Sequence, residues 1–519
     1  MAEAPLDVLA LHTAADPEKT AIIDGDRVMN RREFNNLVNQ YAAVMLDAKV
    51  VAGEKVLWVG YNSLEVVAIN HAARKVGAVC VPMNYRLAPD EAQYVIDNCD
   101  AVVVLFDVEQ TEQLAPIVEQ CERVRAWHCF RSAAKAPVWA QDFDALAAAA
   151  TTDEPVRIGE DETAGTTMIY TSGTTGKPKG TVRRTETSKH AAELFALFGW
   201  GTDEVYLSTG PLYHSAPLGF MMVVQQLGGS VVVLRHFDPE EWLRLIELHK
   251  VTTSFSAPTP VRRAVDLPEE IRSKYDCSSL TCLIANAAPW AFELKKKYVE
   301  RIDDKSLFEV YGSTELGVNT ILLPDEQMRK PGSCGRPVPG VDIKLFDDDG
   351  NEVTEPMEPG ELFVLSDATF ATYYKDQAKY EKGKRPDGYM SVGDIAYRDD
   401  EGFYYICDRK NDMIISGGVN IYPAEIEAVL IAHPDIADAA VFGIPDDEWG
   451  EAVHAVITTY EGGDVEQAEL EAFCRDHLAG YKVPRSHVVM AEIPRSASGK
   501  ILKRELREPY WEGRSSRVG

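Results

Sequence analysis

The strongest constraint on this chain is an alternation of two hydrophobic periods in its first hundred residues. Residues 31–47 become apolar every three or four positions, the spacing of one helix face, and 55–60 is a short apolar run like a buried strand. The pattern then predicts a helix at 63–76, a strand at 78–82, a helix at 89–98 and a strand at 101–105. It returns at 204–207, 219–227, 230–234 and 239–249. Strands joined through helices imply a largely parallel sheet with both faces covered, so the expected class is α/β.

The character changes from Gly332. The turn-rich strings CGRPVPG, DDDGNEV and EPGE separate short strands predicted at 342–345 and 361–365, as in a smaller β-rich unit. After Arg409 a new pattern predicts a helix at 424–431, strands at 437–442 and 452–459, and a helix at 467–477. A boundary is expected at 408–412. At roughly 150 residues per domain, 519 residues suggest three or four structural units. No repeat of 20–50 residues is visible.

Charge narrows the partners. Lys plus Arg number 53 and Asp plus Glu 82, a formal net charge of −29 that repels a nucleic-acid backbone or an anionic bilayer. No run of about 18 apolar residues exists, so no membrane span is expected. The first residues lack a basic and apolar leader. The nine cysteines are odd in number and form no C-x-x-C pair, which argues against a disulfide framework or zinc site and for a reducing, cytoplasmic setting. An anionic substrate must therefore meet a local concentration of positive charge.

One string can supply it. Tyr170-Thr-Ser-Gly-Thr-Thr-Gly-Lys-Pro-Lys-Gly180 packs glycines, hydroxyl residues and two lysines into a loop after the apolar Met168-Ile169. Glycine lets backbone N–H groups turn toward an anion, the hydroxyls add donors, and Lys177 and Lys179 add charge. This is a polyphosphate cradle, but not of the Walker type, because only Thr174 and Thr175 separate Gly173 from Gly176.

The string resembles the signature of the adenylate-forming superfamily of acyl-CoA synthetases, peptide-synthetase adenylation domains and beetle luciferases. Further segments resemble the family in its order: 75–84, Pro211-Leu-Tyr-His-Ser215, Tyr311-Gly-Ser-Thr-Glu315, Ser391-Val-Gly-Asp394, the stretch from Asp408 through Glu425, and Pro494-Arg-Ser-Ala-Ser-Gly-Lys500. The resemblance implies a large N-terminal domain, with α/β subdomains over 1–331 and a β-rich subdomain over 332–408. A hinge at 409–411 and a small mobile α+β domain over 412–519 would follow.

It also implies ATP, Mg²⁺ and coenzyme A as cofactor, metal and cosubstrate, and a small-molecule carboxylic acid as substrate. The acid attacks the α-phosphorus of ATP, then a thiol displaces AMP. Two anions at ~4 Å repel by about 1 kcal/mol in water and about 4 kcal/mol at an effective dielectric near 20, so fixed cations matter. On this resemblance Lys500 bridges the carboxylate and the α-phosphate, Glu315 holds Mg²⁺, Thr314 donates to the α-phosphate and Tyr311, beside Gly312, offers a ring face to adenine. Thr171, Ser172, Gly173, Thr174, Thr175, Gly176, Lys177 and Lys179 cradle the phosphates. Asp394 and Arg409 clamp the ribose. His214 stands between nucleotide and acyl tunnel, and the absence of an Asp there argues against α-amino acids. Gly219, Asn286 and Ala287 face the acid, with Asn286 where the family usually has Gly, a departure that counts against simple saturated fatty acids. Asn411, where Asp or Lys is common, is the hinge. Rotation there would withdraw Lys500 and present Gly417 and Gly418 to a pantetheine channel.

The leading expectation is an AMP-forming acid–CoA ligase for an apolar acid of medium- or long-chain fatty, aryl or steroid type. The alternatives are loading of a separate carrier protein and a non-catalytic nucleotide-binding homologue. A homodimer is left open.

Overall fold

In the computed structural model, residues 7–512 are described, apart from Ala134, 172–177, 184–188, Pro289, Asn411, Gly418, 461–464 and 496–500. Local signals set the helices of the first domain. Asn30 accepts from the backbone N–H of Glu33 while the Glu33 carboxylate accepts from that of Asn30, a capping box that starts Arg31–Asp47. Ser63 caps Leu64–Val76, which ends at Gly77 with φ +78°. Asp238 caps Pro239–His249, with Pro239 in the first turn.

The predicted strands divide between two sheets. Val79–Met83, Lys55–Val59, Ala101–Asp107, Ala126–Phe130 and Gln141–Asp142 form a five-stranded, wholly parallel sheet. Val56, Leu57, Trp58 and Val59 are all fully buried, as strands covered on both faces require. A nine-stranded sheet has a parallel centre of Leu307–Ser313, Cys282–Ala285, Thr253–Ser256, Val205–Ser208, Ser230–Val233 and Thr20–Asp24. Antiparallel strands flank it: Gly317–Leu322 and Arg336–Pro337 on one side and Arg27–Asn30 on the other.

A third sheet pairs Met168–Thr171 with Lys179–Val182, and Lys179–Val182 with Thr372–Tyr373. An antiparallel five-stranded sheet holds Asp342–Phe346, Glu352–Val353, Gly360–Leu365, Asp394–Arg398 and Tyr404–Arg409. The stretch read as one β-rich unit is thus shared, because Arg336–Pro337 and Thr372–Tyr373 pair outside it. Two-residue strands carry too short a pattern to reveal their partners. The last unit builds Val419–Ile421, Ile414–Ser416, Gly450–Thr459, Ile436–Asp446 and Ser486–Val489 into a sheet covered by Pro423–Ile431 and flanked by Lys503–Trp511. All nine cysteines are free thiols. Among the described residues, no helix is long and apolar enough to cross a membrane.

Candidate active site

Five neighbouring parallel strands of the large sheet end at one cavity of about 1690 Å³. Its wall includes Arg235 and His236 beyond Ser230–Val233, Thr209 to Pro211 beyond Val205–Ser208, Ala257 beyond Thr253–Ser256, Asn286 and Ala287 beyond Cys282–Ala285, and Ser313 and Thr314 at the end of Leu307–Ser313. The carboxyl ends of parallel strands are where α/β sheets bind ligands, because the chain diverges there into loops. The volume exceeds the ~300–1,000 Å³ of a single-ligand pocket and suits more than one reactant.

Strands Leu307–Ser313 and Gly317–Leu322 form a tight hairpin that puts Thr314 and Glu315 at its tip. A Cβ on Gly312 would lie 2.1 Å from the carbonyl oxygen of Gly317, so only glycine allows this approach. Thr314 Oγ1 and Ser215 Oγ are hydrogen-bonded at 2.7 Å, tying the hairpin to the start of the helix Ser215–Gln226. One Glu315 oxygen accepts from the Thr171 hydroxyl at 3.3 Å and from the Tyr373 hydroxyl at 3.1 Å. Burial, then the Glu315 charge, pushes the Tyr373 phenol up, which keeps it a donor.

Thr171 and Lys179 face each other as the last pair of their hairpin. Lys179 is bound to the Asp376 carboxylate and does not line the cavity. The residues between them, Ser172, Gly173, Thr174, Thr175, Gly176 and Lys177, lie outside the described set, as do Asn411, Gly418 and Lys500.

Asp394, Arg409 and Tyr311 meet. Asp394 and Arg409 are cross-strand partners, with Nε 3.5 Å from Oδ1, and the Tyr311 hydroxyl donates to Asp394 Oδ2 at 2.6 Å. Burial raises the Tyr311 phenol and the Asp394 charge raises it further. This trio adjoins the cavity through Val310 and Gly312.

His214 occupies the N-cap position of Ser215–Gln226, and its ring lies 4.3 Å from that of Tyr213. From Tyr213 the aromatic contacts continue to Tyr85 at 5.4 Å, Tyr61 at 4.2 Å and His236 at 4.5 Å. Gly219, on the same helix, faces open space, where an added Cβ would meet no atom within 4 Å. Asn286 donates its side-chain amide to the Val310 carbonyl, bracing the strand before Tyr311. Ala287 lines the cavity at φ +72°, a left-handed conformation costing roughly 1–2 kcal/mol for a residue with a Cβ.

Glu492 and Arg495 of the small domain complete the wall, and Arg262 donates to the Ala437 carbonyl at 2.8 Å across the two domains. Gly417 is exposed and does not line the cavity. Ser215, Tyr373 and Arg183 carry no role in the sequence reading. Ser215 stands inside a quoted motif, whereas Tyr373 arrives only through strand pairing.

These features define a large cleft at the strand ends with part of its wall from a small domain. A family model described as AMP-binding enzyme matches residues 9–374, and one described as AMP-binding enzyme C-terminal domain matches 425–500. The chain belongs to the AMP-binding enzymes. It is 33% identical over 500 residues to a feruloyl-CoA synthase of an Amycolatopsis species, covering 95% of this chain and 96% of that one. It is 32% identical over 492 residues to the long-chain-fatty-acid–CoA ligase FadD13 of Mycobacterium tuberculosis, covering 93% of each. The Bacillus subtilis o-succinylbenzoate CoA synthetase, solved with its acyl-adenylate intermediate, superposes with a TM-score of 0.82 at 28% identity over 99% of each chain.

Proposed function

We propose that the chain is an acid–CoA ligase acting on an apolar carboxylic acid in two steps. A carboxylate oxygen attacks the α-phosphorus of ATP, the α–β phosphoanhydride bond breaks and pyrophosphate leaves. The thiol of coenzyme A, losing its proton, then attacks the acyl carbonyl and AMP leaves. The observation that carries this reading is the cavity at the strand ends, where the Thr314–Ser215 hydroxyl pair meets both an apolar wall and the small domain.

The parts divide the work. The Thr314 hydroxyl and Thr171 supply donors for phosphate oxygens. Asp394 and Arg409, steadied by Tyr311, would bind ribose hydroxyls. Lys500, a short way along the chain from cavity-lining Arg495, would place a point charge between carboxylate and phosphate. Glu315 is a carboxylate ringed by hydroxyl groups at the hairpin tip, a hard-oxygen setting that fits Mg²⁺. When bound, that ion would neutralise phosphate charge. Leu194, Phe195, Leu218, Phe220, Met222 and Phe255 make the acyl wall apolar.

A basic rim supports a polyanionic cosubstrate. Arg86, Arg235 and Arg263 line the cavity and lie over the rings of Tyr85, Tyr61 and Phe237. Arg86 and Arg263 have no carboxylate partner among the described residues, while Arg235 is shared with Asp107 and Glu109. In a chain of charge −29 such a cluster suits the phosphates of a nucleotide thiol. The relatives act on acids of unlike size, so the acid itself is set by this chain's own wall.

Pyrophosphate release across fatty, aryl and steroid-type acids, with and without coenzyme A, tests the reading. The expected result is acid-dependent release, acyl-CoA only when the thiol is present, and loss of release on the order of a hundredfold in Lys500→Ala. No release with any acid, or an unaffected variant, overturns it.

A further inference from the structure

We propose that Arg183 is a further substrate-contacting cation of this cavity and takes an oxyanion beside Thr314. It follows strand Lys179–Val182, whose last residue is held on both sides: Val182 pairs with Met168 and with Thr372, and its carbonyl accepts from Ala371 N at 2.9 Å. The backbone entering Arg183 is therefore rigid, and the side chain lines the cavity. Nη1 donates to the Thr314 carbonyl at 2.7 Å.

A guanidinium carries five N–H donors, and that carbonyl takes one. Among the described residues no other acceptor bonds Arg183, and no carboxylate lies within ion-pair distance. Burial draws its proton affinity down, offset in part by the Glu315 charge. A cation held in this way is costly unless something anionic completes it. The other cavity arginines differ: Arg235 and Arg495 are paired with carboxylates, Arg86 and Arg263 lie over rings, and Arg74 and Arg157 meet each other, the Arg74 carbonyl accepting from Arg157 Nη2 at 3.3 Å. Arg183 alone of these is anchored to the residue whose hydroxyl meets Ser215, where the proposed carboxylate and α-phosphate come together. The oxyanion is one of that reacting pair or a second acidic group on the acid. That choice rests on the ligase reading above; the cation's need for an anion does not.

The test uses the full chain as Arg183→Lys, which keeps the charge, and Arg183→Gln, which keeps a donor for the Thr314 carbonyl without charge. Melting midpoints establish that each is folded. Pyrophosphate release is measured with matched mono- and dicarboxylic acids, and ATP binding by calorimetry. Arg183→Gln is expected to lose roughly tenfold or more in kcat/KM or ATP affinity, with Arg183→Lys recovering part of it. Loss with every acid assigns the oxyanion to the reacting pair, and loss confined to dicarboxylic acids assigns it to a distal group. A folded Arg183→Gln that matches the wild type in release, acid preference and ATP binding makes Arg183 a brace for the hairpin and overturns the proposal. A wild type that releases no pyrophosphate would count against the ligase reading, while its ATP binding would still judge Arg183.

Discussion

His128 shows how one side chain sets a property of the whole fold. It lies in the buried strand Ala126–Phe130 with its ring 5.6 Å from Phe143, and among the described residues neither ring nitrogen has a hydrogen-bond partner. Burial lowers its pKa to about 4. Between the unfolded value near pH 6.5 and that folded value, the unfolded chain binds a proton that the folded chain refuses. Stability is therefore full above the window and declines as pH falls through it. In His128→Phe this contribution disappears. The gap in unfolding free energy between variant and wild type should shift by about 1–2 kcal/mol between about pH 7 and pH 5, read by urea titration at both. The substrate site was legible at this scale only where an ordered string named the residue. Such strings name Thr314, Glu315 and Asp394 as expectations; none names Arg183 or Tyr373, because no local pattern says what a strand end will face.

Two helices show the same division at the scale of elements. Ser215–Gln226 presents Gly219 to open cavity space, so a bulky side chain there fits without backbone strain and would shorten the proposed acyl channel. Gly219→Trp should lower kcat/KM for the longest accepted acid by roughly tenfold or more and leave the smallest nearly unchanged, measured by pyrophosphate release. The C-terminal helix Lys503–Trp511 is tied inward by charge. Lys503 Nζ lies 2.9 Å from Glu427 and 3.7 Å from Asp408, and burial raises the pKa of both carboxyls. Lys503→Met leaves two acids buried without their cation and should destabilise the small domain by about 3 kcal/mol, seen as an earlier denaturant transition. The helices over 31–47, 89–98 and 239–249 were legible to the residue because their caps and periods are local.

At the scale of the molecule, the chain changes allegiance within a few residues. Asp408 accepts from Ala424 N at 3.1 Å and faces Lys503, both in the small domain. Arg409 faces Asp394, and Lys410 binds Asp348 at 2.9 Å, Glu361 at 3.1 Å and, through its N–H, the Gly393 carbonyl at 2.8 Å, all in the body. A pivot at position 411 leaves 408–410 with the body, so it must break the Asp408 contacts to the small domain and keep those of Arg409 and Lys410. Asn411→Pro, by restricting backbone rotation, should preserve acyl-adenylate formation while thioester output collapses, with the adenylate trapped and the acyl-CoA quantified by chromatography. Equal output from both steps would remove the hinge from this position.

The amino-acid order by itself determined the α/β class, the extent of most helices and inner strands, and the family, since each rests on periods or strings contained within a few turns of chain. Only the tertiary structure decided that Thr20–Asp24 joins Ser230–Val233 as well as its sequence neighbour Arg27–Asn30, that Thr372–Tyr373 completes the sheet of Met168–Thr171 and Lys179–Val182, and that Arg183 meets Thr314. Such pairings join residues far apart along the chain. Their stability comes from burial and hydrogen bonds that exist only once the sheets have packed, so no short stretch contains them.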